Sequence, residues 1–334
     1  MKVQESKEEI DMATVVDVAK KAKVCPSTVS RYIRSPELVS KEKAKVIEKA
    51  INELGYTRNL GASFLKSCKT NIVGLVLPSN YNTFFASLLA KINVATKALN
   101  KQLIVLYASD FDEVKNQIRV LLSLRAESIL FIPERKSHTI RTLTFSNHCY
   151  ALQLFIDSFS QFDSLVVDDT YGAYLAAKEL IENGNTNIVL IDNENDVYTK
   201  RLAGVKKAYE EYNIDLNQLM TITLEPNDDI EEKLKSFFTK HVPEGIISVT
   251  ETLSQQVCLV LNSLQISIPN DVSLIVYDDS NWAKLCAYTA ISQPSDVIVN
   301  NIKDLLKKGQ TEKIENVVIQ PLLVKRQSVQ NRRK

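Results

Sequence analysis

Glycine is scarce, with eight in 334 residues, and none is spaced as GxGxxG or GxxxxGK[ST]. That argues against a dinucleotide-binding or phosphate-loop enzyme. The three histidines, His138, His148 and His241, stand too far apart for a local zinc signature, so no metal ligand is expected. Five cysteines, Cys25, Cys68, Cys149, Cys258 and Cys286, are odd in number and never paired as CxxC. They read as reduced, mostly buried thiols in a reducing compartment. No apolar run approaches the roughly 18 residues of a membrane span, and the polar, acidic start Met1 to Asp11 does not read as a signal peptide. Gly-x-Ser-x-Gly, HExxH and a cysteine–histidine motif are also missing, so no catalytic residue and no cofactor is expected.

What is present fits a soluble, cytoplasmic protein of two domains, with 45% hydrophobic and 24% charged residues. The net charge of +1 conceals an uneven distribution. Residues 13–70 hold twelve Lys and Arg against five Asp and Glu, and the last ten residues hold five basic groups and no acid. Residues 71–324 carry 22 basic and 31 acidic groups. A basic head on an acidic body implies a polyanionic partner for the head alone.

In the head, Val15, Val18, Ala19 and Ala22 fall at helical spacing, Lys23-Val24 interrupts, and Pro26 opens a second short helix with Val29 and Ile33 on one face. Two short helices joined by a tight turn, with a small residue and an apolar one at the crossing, make a helix-turn-helix pattern whose second helix leaves Ser27, Thr28, Ser30 and Arg31 on its outer face. The spacing alone suits a solvated helical hairpin equally well. A third helix follows, with Ser40 as its expected N-cap, Glu42 in its first turn, a stripe of Val46, Ile47, Ala50, Ile51 and Leu54, and Gly55 past its end.

VVDVAKKAKVCPSTVSRYI, then LVSKEKAKVIEKAINELGY, then TRNLGASFLKS closely resemble, without a gap, the DNA-binding head and hinge of the lactose-repressor (LacI) family of bacterial transcription regulators. The resemblance implies that Pro26, Ser27 and Arg31 read base edges, that Thr28 and Ser30 bond phosphates, and that the hinge residues Asn59, Ala62 and Leu65 enter the minor groove, with Leu65 as a wedge. Lys23 stands where the family usually has a glycine in the turn, and Arg58 where it has a proline before the hinge.

From Asn71 short β-rich runs alternate with helical patterns in two series. Strands are expected at 72–77, 102–107, 128–132 and 151–155, then at 187–191, 220–224, 245–249 and 273–277, and the helices between them include one at 138–147. The resemblance continues through Pro78 with Asn82, Phe84 and Phe85, Arg201-Leu-Ala-Gly204, Tyr277-Asp278-Asp279 and Gln293-Pro294. The implied fold class is an all-α helix-turn-helix head plus an α/β body, a two-lobed periplasmic-binding-protein-like core with parallel sheets covered by helices. The expected division is a DNA-binding domain at 13–58, a hinge at 59–70 and an effector-binding core at 71–334. Its first lobe takes 71–157 and 292–321 and its second 158–291 and 322–330, with crossings near Asp157, Ser292 and Pro321.

By the same resemblance Arg201 and Asp278 contact an effector, Phe84 and Phe85 form an aromatic wall, and Thr250-Glu251 replaces the family's Asn-Asp in the cleft. Trp282 reads equally as a lid or a buttress. SRYIRSPELVS and PERKSHTIRTL look most like the gluconate-repressor subgroup, which implies a sugar acid or its phosphate facing Arg201, Arg135 or Lys136. The tail LLVKRQSVQNRRK has no leucine heptads, so a homodimer on pseudo-palindromic operator DNA is implied, and the basic end reads as solvated. The expected function is a nucleoid-associated repressor of sugar or sugar-acid genes. The alternatives are a regulator that answers to a partner protein instead of a sugar, and a sugar-modifying enzyme on the same body.

Overall fold

The computed structural model describes residues 13–56, 70–79, 82–133, 145, 149–193, 196–225 and 227–333. The chain divides into two units, residues 1–68 and 69–334.

The first unit holds α1 (Val15–Ala22), α2 (Pro26–Arg34) and α3 (Lys41–Leu54). Thr14 starts α1 through a capping box: its hydroxyl accepts the Asp17 N–H while the Asp17 carboxylate accepts the Thr14 N–H at 2.8 Å. Val18, Ala19, Val29, Ile47 and Ala50 are buried together, so the small Ala19 and the apolar Val29 lie in one core with the inner face of α3. Lys23 ends α1 in the left-handed region, at φ 54° and ψ 41°, which the glycine it replaces would adopt without steric cost. Gly55 ends α3 in the same region, as expected, whereas Ser40 occupies the N-cap of α3 without a side-chain capping bond.

The second unit contains two six-stranded sheets. The first lobe is built from β1 (Ile72–Pro78), α4 (Thr83–Ala98), β2 (Gln102–Ala108), α5 (Phe111–Ser123), β3 (Ser128–Phe131), β4 (Tyr150–Leu154) and β5 (Asp163–Val167). The second takes α6 (Asp169–Glu182), β6 (Ile188–Asn193), α7 (Asp196–Glu211), β7 (Leu219–Leu224), α8 (Ile230–Lys240), β8 (Gly245–Ser248), α9 (Glu251–Ser263), β9 (Ser273–Tyr277), α10 (Asn281–Leu285) and β10 (Thr289–Ser292). The chain then returns to the first lobe for α11 (Ser295–Lys308) and β11 (Asn316–Ile319), and ends in the second with β12 (Leu322–Val324). Strand order is β11-β5-β4-β3-β1-β2 in one sheet and β12-β10-β9-β8-β6-β7 in the other, all parallel except β12. Strands β1, β3, β4 and β9 are buried almost throughout, because helices cover both faces of a parallel sheet.

The structure corrects three expectations and decides one alternative left open, that of Trp282. Strand β5 pairs with β4 and β11 in the first sheet, so the first passage between lobes lies at Asp168, not Asp157. The basic end, expected to be solvated, is docked in part: Arg332 donates to the Asn185 side chain at 2.9 Å and to the Asp271 carbonyl at 2.9 Å, and the Ser328 hydroxyl, buried, bonds the β9 backbone at Leu274, while Lys325 and Arg333 are exposed. Cys25 and Cys286 are exposed and Cys258 is half-buried, which leaves Cys149 as the fully buried thiol among the described residues. Trp282 packs edge-on against Tyr288, 5.2 Å between centroids, and is a buttress of the second lobe's core. The helix expected at 138–147 lies outside the described residues but for residue 145.

Candidate DNA-reading face and effector cleft

Helix α2 begins at Pro26, whose missing N–H costs nothing at the first helical position. With Val29 held in the core, Pro26, Ser27, Ser30 and Arg31 are exposed on the opposite side and Thr28 is half-buried. Cys25 sits at the N-cap, its sulfur 3.1 Å from the Ser27 hydroxyl and 2.9 Å from that of Thr28. Those two hydroxyls, Ser27 first, bring the thiol down to about 7. The face therefore offers one fork-shaped cation, two exposed hydroxyls and an ionisable thiol on a helix narrow enough for a major groove. Asn59, Ala62, Leu65 and Arg58 lie outside the described residues.

In the body the remaining expected residues gather at the carboxyl ends of strands, where α/β sheets place ligands. Asn82, following β1, caps α4: its side-chain oxygen accepts the Phe85 N–H at 3.2 Å. Its amide nitrogen donates across the cleft to Asp278 at 3.2 Å. Next in the chain, the Thr83 hydroxyl donates to Glu251, the first residue of α9, whose other oxygen accepts from Gln255 at 3.3 Å. Gln293, on the second passage between lobes, donates to Asp278 at 2.7 Å. Two side chains of the first lobe thus hold two carboxylates of the second directly. Thr250 serves as the N-cap of α9, accepting the Leu253 N–H at 3.2 Å.

Asp278 follows β9 in a left-handed conformation, φ 66°, and is 5% exposed. Burial pushes its carboxyl up to about 6, opposed by the Gln293 amide, the Arg201 charge and the Asn82 amide. Phe84, Phe85 and Phe155, the last following β4 at φ 65°, form a triad in which each ring meets the other two edge to face, at 5.3–5.9 Å between centroids. A bulky residue at positive φ costs about 1–2 kcal/mol, and here it aims a ring at the wall of the cleft.

Arg201, 9% exposed, is committed to its own lobe. It donates to Asp169 at 2.9 Å, pairs with the wholly buried Asp192 at 3.3 Å, and lies 4.7 Å over the Tyr277 ring. Burial raises both aspartates above the usual carboxylate range even though Arg201 pulls them down. Tyr277 is 3% exposed, and its hydroxyl alone among buried side-chain polar atoms of the described residues has no hydrogen-bond partner. Thr83, Phe155, Asp169 and Asp192 were not apparent as site residues from the sequence. The two acids carried a signal of position only, each standing at the carboxyl end of a β-rich run before a helix. Arg135 and Lys136 lie outside the described residues.

Among the described residues no group of three or more His, Cys, Asp or Glu is placed to hold a metal ion, and no helix is long and apolar enough to cross a membrane.

Residues 14–59 match the family model described as bacterial regulatory proteins, lacI family, and residues 177–329 match a periplasmic binding protein-like domain. The HTH-type transcriptional regulator DegA of Bacillus subtilis is 27% identical over 94% of this chain and 97% of its own. The HTH-type transcriptional repressor PurR of Vibrio vulnificus is 27% identical over 88% and 91%. Among solved structures, a lac repressor dimer bound to operator and the anti-inducer ONPF superimposes with a TM-score of 0.77 at 20% identity, covering 96% of this chain and 99% of that one, a likeness of fold. A helical helix-turn-helix head, a two-sheet α/β body and regulators as full-length relatives make this protein a DNA-binding transcriptional regulator and not an enzyme. The chain belongs to the lacI family of bacterial regulatory proteins.

Proposed function

We propose that the protein is a repressor that binds a pseudo-palindromic operator as a homodimer and releases or holds it according to a small molecule in the cleft between its lobes. Pro26, Ser27 and Arg31 read bases in this scheme, Thr28 and Ser30 anchor to phosphates, and Asn59, Ala62 and Leu65 engage the minor groove. Phe84, Phe85, Arg201, Thr250, Glu251 and Asp278 shape the effector site. The observation that carries the reading is the pair of cross-lobe bonds, Asn82 to Asp278 and Thr83 to Glu251, because they make the distance between lobes depend on what occupies the cleft. A ligand that binds one lobe spacing better than another shifts the equilibrium between them.

The effector is a sugar or sugar derivative, the class that suits carboxylates and amides facing an aromatic wall. Structures of similar fold support it: one is a CelR–cellobiose complex, TM-score 0.65, and another a regulator from Enterococcus faecium with bound ribose, TM-score 0.68. A gluconate-like acid would require a cation at the cleft, and Arg201 already faces two carboxylates. A second reading, in which a partner protein replaces the sugar, draws on the same two bonds, since they form between the protein's own side chains.

Operator selection with the purified protein, followed by binding of Arg31→Ala to the selected duplex, tests the first half. The substitution is expected to weaken binding at least tenfold and to relax one base position. Unchanged affinity, or binding that hardly responds to salt, would refute base reading by α2.

A further inference from the structure

The charges around the cleft are unevenly matched. Arg201 is countered twice, by Asp169 and Asp192. Lys200, the neighbour of Arg201 in the chain, pairs with Asp157 at 3.3 Å. Asp279, beside Asp278, pairs with Arg326 at 2.5 Å and Lys284 at 3.8 Å. By contrast Asp278 and Glu251, 5% and 6% exposed, have no ion-pair partner among the described residues. Their bonds come from neutral donors: the amides of Asn82 and Gln293 for one, the Thr83 hydroxyl and the Gln255 amide for the other. The first-lobe groups opposite them, Asn82, Thr83, Phe84, Phe85 and Phe155, carry no charge.

We propose that the cleft selects an uncharged, hydroxyl-rich ligand and rejects one that bears a carboxylate or phosphate. The inference rests on the cleft being the effector site. A ligand hydroxyl replaces the Thr83 hydroxyl or the Asn82 amide as donor to Glu251 or Asp278, one neutral donor for another. The tilted rings of Phe84, Phe85 and Phe155 meet the C–H face of a sugar. An anion gains no such exchange. It must shed its hydration beside two carboxylates that have no ion-pair partner among the described residues, while the buried Arg201 guanidinium, whose charge reaches Asp278 only from a distance, is held by Asp169 and Asp192 of its own lobe. Like charges facing each other in a desolvated site discriminate strongly between otherwise similar ligands. Glu251 is the residue that sets this preference most directly, because it stands on the first turn of α9 and reaches the opposite lobe through Thr83.

The test uses the full chain and matched probes: D-ribose beside D-ribonate and D-ribose 5-phosphate, and D-glucose beside D-gluconate and D-glucose 6-phosphate. Thermal shift and calorimetry are expected to show binding of a neutral sugar and at least tenfold weaker binding of its acid and phosphate. Glu251→Gln is expected to narrow that gap about tenfold in favour of the acid. Tighter binding of an acid or phosphate by the unmodified protein would overturn the charge preference and leave the effector site standing. Silence from every probe would overturn the effector site, and this proposal with it. The comparison within the unmodified protein does not depend on Glu251→Gln folding.

Discussion

Asn82 and Asp278 stand 196 positions apart, and the amide of one donates to the carboxylate of the other at 3.2 Å. The same Asn82 side chain starts helix α4 by accepting the Phe85 N–H, so one amide joins a local folding signal to the contact between lobes.

That contact has a pH signature. Asp278 ionises at about 6 in the folded protein and near the ordinary 3.8 in the unfolded chain. Between these values the folded state holds the extra proton, so this group's contribution is fully present below about pH 4 and is lost as pH rises through about 6. Asp278→Asn has no proton to take up. Measured by urea unfolding at pH 4.5 and 7.5, the unmodified protein is expected to gain roughly 2 kcal/mol on the variant at the acid end. Parallel profiles would contradict it.

Lys23 holds a backbone conformation that glycine adopts freely, at φ 54°. Lys23→Gly is expected to stabilise the three-helix head by about 1 kcal/mol, read as a higher melting temperature. No gain would mean that the side chain compensates for its own strain.

The Cys25 thiol, near 7 and exposed, is expected to react with iodoacetamide at pH 7.5 well before Cys149, which burial pushes up to about 12, or Cys258, at about 11. Peptide mapping over time checks the order. Alkylation at the N-cap of α2 is expected to abolish operator binding, and Cys25→Ser should protect it.

Gly204 lets α7 approach α6. A side-chain carbon there would collide with the Thr170 carbonyl and come within 2.9 Å of the Tyr174 nitrogen. Gly204→Ala is expected to part the two helices, stretch the Arg201–Asp169 bond and cost about 3 kcal/mol in calorimetry of the body.

The sequence was most readable where structure is local. Val18, Ala19 and Val29 announce the helical crossing because their spacing alone places them on one side, and Gly55 ends α3 where a left-handed residue is needed. Less could be read where partners are distant. Asp163–Val167 was not recognised as a strand, and nothing in DSLVV tells which sheet it joins, since that is decided by β11. Arg201 was legible as a site residue, but its two aspartates were not, because they come from α6 and β6 and meet only when the helices pack. Basic residues at the end suggested solvent; Arg332 instead finds carbonyls and an asparagine that only the folded second lobe brings together.

The pairing of β5 with β11 also governs how the molecule comes to be made. Asn316 sits beside Ser164, 152 positions earlier, at the edge of the first sheet. The lobe that begins the body is therefore finished by nearly the last strand to leave the ribosome, after all of the other lobe but β12 and the tail has been synthesised. Contacts of such separation close slowly, and until then β5 presents a bare edge to the cell. A chain shortened before Asn316 would lose the closing strand of its earlier lobe as well as its end, so chaperone demand and proteolysis during synthesis should concentrate on β5.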